Sequence, residues 1–151
     1  MSSTVSVRRM SPADSPGVLA ILKESVEAAQ WSEETLSESL PSFPGWVAEQ
    51  NGHVAGFLVG RSVADEFEIL NMAVAPAHRR RGIASRLMNE ALLWSRAAGA
   101  RRAYLEVRAS NEAAISLYSR HGFRECGRRA RYYASPAEDA ILLSLNVNGM
   151  P

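Results

Sequence analysis

Val74-Ala75-Pro76-Ala77-His78-Arg79-Arg80-Arg81-Gly82-Ile83-Ala84 is the stretch on which the reading of this chain turns. Before it, Phe67 to Val74 reads as a strand that closes at Pro76, a residue without the N–H that a ladder needs. After it, Ile83, Leu87, Ala91 and Trp94 recur every three or four residues. That period predicts a helix over Gly82 to Ala98, stopped by Gly99. A strand, a basic loop and a helix that opens on small residues make a place for an anion. The first amides of a helix have no intrahelical acceptor, and the helix dipole favours negative charge beside them. Gly82 lets the backbone approach closely, Ala84 keeps the first turn slim, and Arg79, Arg80 and Arg81 add charge and donors for phosphate. The arrangement fits a diphosphate. It is not a Walker loop, because the Gly-Lys-Ser/Thr end is missing. A basic surface loop ahead of a helix is the other reading of the same residues.

Working outward, the upstream half alternates short elements. Val5 and Val7 mark a first strand. Ser15 and Pro16 suit the start of a helix whose one face carries Val18, Leu19, Leu22 and Val26. Ser32 caps a second helix, with Trp31 placed to staple onto Leu36 and with Pro41 and Pro44 ending it. Trp46 to Gln50 and His53 to Val59 flank Asn51-Gly52, the pair best suited to a type I′ turn, so they form a hairpin. Downstream, Arg102 to Val107 is a strand with Tyr104, Glu106 and Arg108 on one face. Ser110-Asn111-Glu112 opens a short helix that ends at His121-Gly122-Phe123. Strands near Phe123 to Arg128 and Ala140 to Val147 follow, then a tail from Asn148. The order β-α-α-β-β-β-α-β-α-β-β predicts an α+β domain built as a three-layer α/β/α arrangement, with a mixed sheet of about seven strands and about four helices.

The bulk properties bound the function. A chain of 151 residues fits one domain spanning 1–151 and can bury a core without staples. A net charge of +1 argues against a protein that coats nucleic acid. No apolar run reaches membrane-span length, and Met1 to Arg9 lacks a signal-peptide core, so no membrane role is expected. One cysteine, Cys126, makes no internal disulfide, and the expected location is the reducing cytoplasm. His53, His78 and His121 sit in three different elements, so no metal site is expected.

Downstream of the cradle, a carboxylate and a phenol stand out as groups able to accept and to give a proton in a group transfer. Glu106, in an otherwise apolar-rich strand, and Tyr118, on the next helix, are the candidates. Glu106 has the alternative of pairing with Arg108 or Arg102, Tyr118 that of filling core beside Phe123, and Asn111 that of acting only as a helix cap.

Arg79-Arg80-Arg81-Gly82-Ile83-Ala84 matches the Arg/Gln-x-x-Gly-x-Gly/Ala signature of the GNAT acetyltransferase superfamily, with Ala84 where many members have glycine. Leu105-Glu106-Val107-Arg108 and the helix opening at Ser110-Asn111 resemble the RimI-type ribosomal-protein-alanine N-acetyltransferases. The likeness covers most of the chain and includes Trp31-Ser32-Glu33 and Tyr132-Tyr133. It implies the GNAT acyl-CoA N-acyltransferase fold and acetyl-CoA as co-substrate. It places Met72, Ala73 and Val74 along the pantetheine arm, Arg79 to Ala84 with Ser85 on the pyrophosphate, and Asn111 on the cofactor. It makes Glu106 the general base, through water, and Tyr118 the general acid. The implied acceptor is the N-terminal alanine of ribosomal protein S18, whose following residues are basic and aromatic. Asp65, Glu66 and Glu68 would receive that cationic peptide, or form a solvated turn. Trp31, Tyr132 and Tyr133 would wall its entrance, or only pack. Transfer to a small-molecule or lysine amine, and a silent acyl-CoA-binding module, are the alternatives.

Overall fold

The computed structural model describes residues 4–25, 28–134 and 137–149. The helix-face residue Val26 and the last two residues of the expected tail lie outside them. Seven strands join in the order β1-β2-β3-β4-β5-β7-β6, and four α-helices accompany them. The sheet is mixed, since β4 and β5 pair parallel while β1–β2, β2–β3, β5–β7 and β6–β7 pair antiparallel. Among the described residues, no helix is long and apolar enough to cross a membrane. The chain packs as two compact units, Met1–Arg61 with Ile69–Trp94, and Ser62–Glu68 with Ser95–Pro151.

The first unit holds β1 (Ser6–Arg9), α1 (Ser15–Lys23), α2 (Glu33–Ser39), β2 (Gly45–Gln50), most of β3 (His53–Val63), β4 (Glu66–Val74) from Ile69 on, and α3 (Ile83–Ala97) as far as Trp94. Its core is a cluster of Val18, Ile21, Leu22, Leu36, Val47, Phe57 and Val59, all under a tenth exposed. Trp31 and Leu19 pack against it from the side. The β2–β3 hairpin turns at Asn51 (φ 55°) and Gly52 (φ 75°), the two positive φ values of the expected turn. Ser32 caps α2 by accepting the Thr35 N–H at 3.1 Å. Ser15, expected as the cap of α1, is instead its first residue, and Asp14 stands at the cap position. Asp14 takes two hydrogen bonds from Arg8 at 2.7 and 2.9 Å and one from the Ser11 N–H at 2.8 Å. A carboxylate held by a guanidinium fixes the chain there, and Ser15 follows it into the helix.

The second unit holds the start of β4, the end of α3, β5 (Arg102–Arg108), α4 (Glu112–Arg120), β6 (Arg124–Ala134) and β7 (Ala137–Asn146). Along β5, Ala103, Leu105 and Val107 are buried while Tyr104, Glu106 and Arg108 share the half-open face, as the alternation predicts. In β7, Leu145, Leu143 and Ile141 stand opposite Ala103, Leu105 and Val107. Both late strands differ from expectation. β6 runs on to Ala134 and β7 begins at Ala137. Arg-Arg-Ala-Arg-Tyr-Tyr carries no apolar alternation, since β6 pairs on one side only and is almost wholly exposed. Val147–Gly149 form a 3₁₀ turn with Val147 buried, so that part of the expected tail is structured.

Candidate active site

On the first unit, β4 leads through a 3₁₀ turn (Pro76–His78) into the arginine loop and α3. Arg80 (φ 64°) and Gly82 (φ 76°) both have left-handed backbone, which turns successive amides of a loop toward a common concavity suited to anions. A Cβ on Gly82 would meet no atom within 4 Å, so the space above it is open and a side chain would fill the cradle rather than strike protein. Arg80 and Arg81 are exposed. Arg79 is committed differently. Its Nε donates to the Val74 carbonyl at 3.1 Å and its other donor reaches the Ser25 hydroxyl at 3.4 Å, so it braces the loop against β4 and α1. Gly56 on β3 sets how closely α3 lies, since a Cβ there would stand 3.2 Å from Ile83, Leu87 and the Ala73 carbonyl. The register of β4 with β5 covers Glu66, Phe67 and Glu68, and Met72, Ala73 and Val74 lie beyond it.

Asn71 begins the stretch of β4 that the resemblance lays along the pantetheine arm. Asn71 is 4% exposed, and its amide donates at 2.8 Å to the Ala29 carbonyl, which also accepts the Trp31 N–H. Trp31 is thus held by backbone at the entry to α2.

On the second unit, the carboxylate of Glu106 is 22% exposed and ion-pairs with Arg129 of β6 at 3.3 Å. Arg108, one of the two partners the sequence offers Glu106, pairs with Glu138 at 3.3 Å. β7 lies between β5 and β6, and it is Leu142 that stands opposite both Glu106 and Gly127. Tyr118 is 7% exposed on α4, edge-on to Phe123 at 5.8 Å. Burial pushes its hydroxyl pKa well up, and the neighbouring Tyr133 adds to this, so the proton stays on oxygen. Burial also raises Tyr133, with the charge of Glu106 contributing. Glu106, Tyr133 and Tyr118 therefore belong to one electrostatic neighbourhood. Asn111 caps α4, its side-chain oxygen accepting the Ala114 N–H at 3.2 Å. Glu138 accepts the Ser110 N–H at 2.6 Å, and its pKa is lowered chiefly by the Ser110 hydroxyl, with that N–H and Arg108 adding to it.

The β6–β7 pairing breaks between Arg129 and Tyr133. Arg129 faces Ala140 and Tyr133 faces Glu138, so three residues of β6 oppose Asp139 alone. Asp139 holds this wide bulge by accepting the N–H of Arg131, which has φ 51°. The bulge presents Tyr132, half exposed, edge-on to Tyr133 at 5.2 Å. Arg108 lies over the Tyr133 ring at 4.3 Å and Arg129 over the Tyr132 ring at 5.4 Å. The acidic segment is placed apart from this group. Asp65 and Glu66 are exposed, and Glu66 pairs opposite Arg102, four residues before Glu106 and so roughly 13 Å away along β5. Glu68 pairs opposite Tyr104, nearer to Glu106.

Comparison with known proteins shows the family and the fold. The family model described as the acetyltransferase (GNAT) family matches residues 16–123. The ribosomal protein bS18-alanine N-acetyltransferase of Escherichia coli K12 is 34% identical over 130 residues, covering 84% of this chain and 88% of that protein. The crystal structure of the ribosomal-protein-S18-alanine N-acetyltransferase from Escherichia coli matches with a TM-score of 0.86 at 32% identity, over 95% of this chain and 94% of that one. Arabidopsis thaliana NAA60, solved in complex with acetyl-CoA, matches with a TM-score of 0.87 over 97% of this chain and 100% of that one, a likeness of fold at 24% identity.

Proposed function

Since this chain belongs to the acetyltransferase (GNAT) family, we propose that it transfers acetyl from acetyl-CoA directly to the N-terminal α-amine of a protein, namely the N-terminal alanine of ribosomal protein S18. The observation that carries the acceptor is the likeness, along most of both chains, to the Escherichia coli enzyme named for that reaction. In this reading residues 1–151 act as one catalytic domain in the cytoplasm.

Acetyl-CoA, when bound, supplies an activated acyl carbon and a thiol leaving group. The exposed Arg80 and Arg81, Gly82 and the first amides of α3 at Ile83, Ala84 and Ser85 hold its diphosphate, while Arg79 keeps the loop in shape. Backbone groups of Met72, Ala73 and Val74 take the amides of the pantetheine arm, and an N–H there receives the thioester oxygen. The amide nitrogen of Asn111 adds a cofactor contact, its oxygen being used by the helix cap. Glu106, partly open to water, accepts the proton of the acceptor amine through a water molecule. Tyr118, kept protonated by burial, gives its proton to the departing sulfur. Trp31, Tyr132 and Tyr133 border the acceptor peptide, with Glu68 the most favourably placed of the acidic residues for its cationic part. Cys126 takes no part, because the amine attacks the thioester itself.

An α-amine suits this equipment. Its pKa is about 8 against about 10.4 for lysine, so freeing the lysine nitrogen costs roughly 3 kcal/mol more near neutral pH. The test mixes the protein with acetyl-CoA and a peptide copying the S18 N-terminus, following free thiol and peptide mass. A control peptide has its α-amine blocked and a lysine open. Acetylation is expected on the open α-amine alone, and Glu106→Gln and Tyr118→Phe are each expected to lower kcat by about 10²- to 10⁴-fold. Acetylation of the lysine control, or of neither peptide while acetyl-CoA binds, would replace this acceptor by another amine or by a binding role.

A further inference from the structure

The acceptor reaches Glu106 as a cation, yet Glu106 already has one. The Nε of Arg129 sits 3.3 Å from its carboxylate, longer than the about 2.7–2.9 Å of a charge-assisted hydrogen bond. Arg129 is 55% exposed, so nothing encloses it. A second resting place adjoins it, for the guanidinium also lies over the ring of Tyr132 at 5.4 Å. The bulge held by Asp139 is what offers that ring. Two weak holds on one exposed guanidinium make a group that moves at little cost.

We propose that Arg129 is a resident stand-in for the acceptor's ammonium, released onto Tyr132 when the acceptor arrives, and so a positioning and specificity residue that acts through Glu106. A guanidinium is charged at every working pH, so the carboxylate is never left without a cation. Only an acceptor that is itself a cation competes for that place, and a neutral terminus does not. Once displaced, Arg129 stays beside the site as a like charge, which favours loss of the amine's proton to Glu106. This rests on Glu106 being the base, as proposed above.

The experiment separates the two ideas. Glu106→Gln is assayed first for kcat with the S18-like peptide, and an unchanged kcat removes the base assignment without touching Arg129. Arg129→Gln is then compared with Arg129→Lys and the parent protein, using two unreactive inhibitors of the same peptide sequence. One carries an N-terminal trimethylammonium group and the other has hydrogen in place of the amine. With the competing cation gone, the cationic inhibitor and the reacting peptide are expected to bind about two- to five-fold more tightly to Arg129→Gln, the size of a partly exposed ion pair. The neutral inhibitor and the KM for acetyl-CoA stay as they were, and Arg129→Lys returns the cationic inhibitor toward its parent value. A purely structural ion pair would shift both inhibitors alike. That result, or weaker binding of the cation to Arg129→Gln, overturns the proposal.

Discussion

At the scale of residues, the same burial gives opposite results in Asp14 and Tyr118, and partners decide which. Tyr118 is buried against Phe123, and burial disfavours its charged form. Asp14 is as little exposed, at 6%, though its carboxylate lies nearer the surface, and the Arg8 guanidinium holds its carboxyl below the usual value of 3.8. A lowered folded-state pKa means the unfolded chain takes up the proton first. The stabilisation is therefore complete above the ordinary aspartate value and is lost as the pH falls through the lowered one. Asp14→Asn is expected to cost about 1–2 kcal/mol at neutral pH, the worth of hydrogen bonds to a charged partner. Urea melts across pH should show that deficit shrinking in acid. A deficit independent of pH would mean that shape, and not charge, is what Asp14 supplies. Candidate cofactor and base residues could be proposed at this scale because their types and spacing are local. Arg129 could not, because it faces Glu106 across an intervening strand.

At the scale of elements, close approach and irregularity do most to shape the candidate site. α3 packs where Gly56 leaves room, and the helix carries the arginine loop at its start. Gly56→Val is expected to force Ile83 and Leu87 away, costing about 1–3 kcal/mol as overpacking does and raising the KM for acetyl-CoA. Thermal melts with initial rates check this, and a shift in melting with an unchanged KM would detach the loop's geometry from the packing of α3. The helices and the hairpin could be read from the chain, since caps such as Ser32 and the Asn51-Gly52 turn act within a few residues. The β6 bulge could not, since it depends on one carboxylate, Asp139, reaching the amide of Arg131 across the ladder.

At the scale of the whole molecule, a ligand that binds only the folded chain raises its stability by mass action. Acetyl-CoA at about one hundred times its Kd should add about 2.7 kcal/mol. For a chain of 151 residues that is a rise in Tm of about 5–10 °C. Desulfo-CoA should give much of the shift, because the diphosphate carries it, and adenosine alone should give little. Equal shifts with adenosine would place the binding energy away from the arginine loop. What the sequence determined by itself is whatever short-range physics specifies. That covers the order of strands and helices, the Ser32 cap and the Asn51-Gly52 turn, and the choice of an arginine loop, a carboxylate and a phenol as candidates. Tertiary structure alone decided which charges meet. It tied Arg79 to the Val74 carbonyl as a brace, set Asp65 and Glu66 far along β5 from Glu106, and put Arg129 on that carboxylate. The reason is that strand register and bulges are fixed by the summed packing of distant segments, and a shift of one residue would send the strand side chains Glu66, Glu106 and Arg129 to the other face.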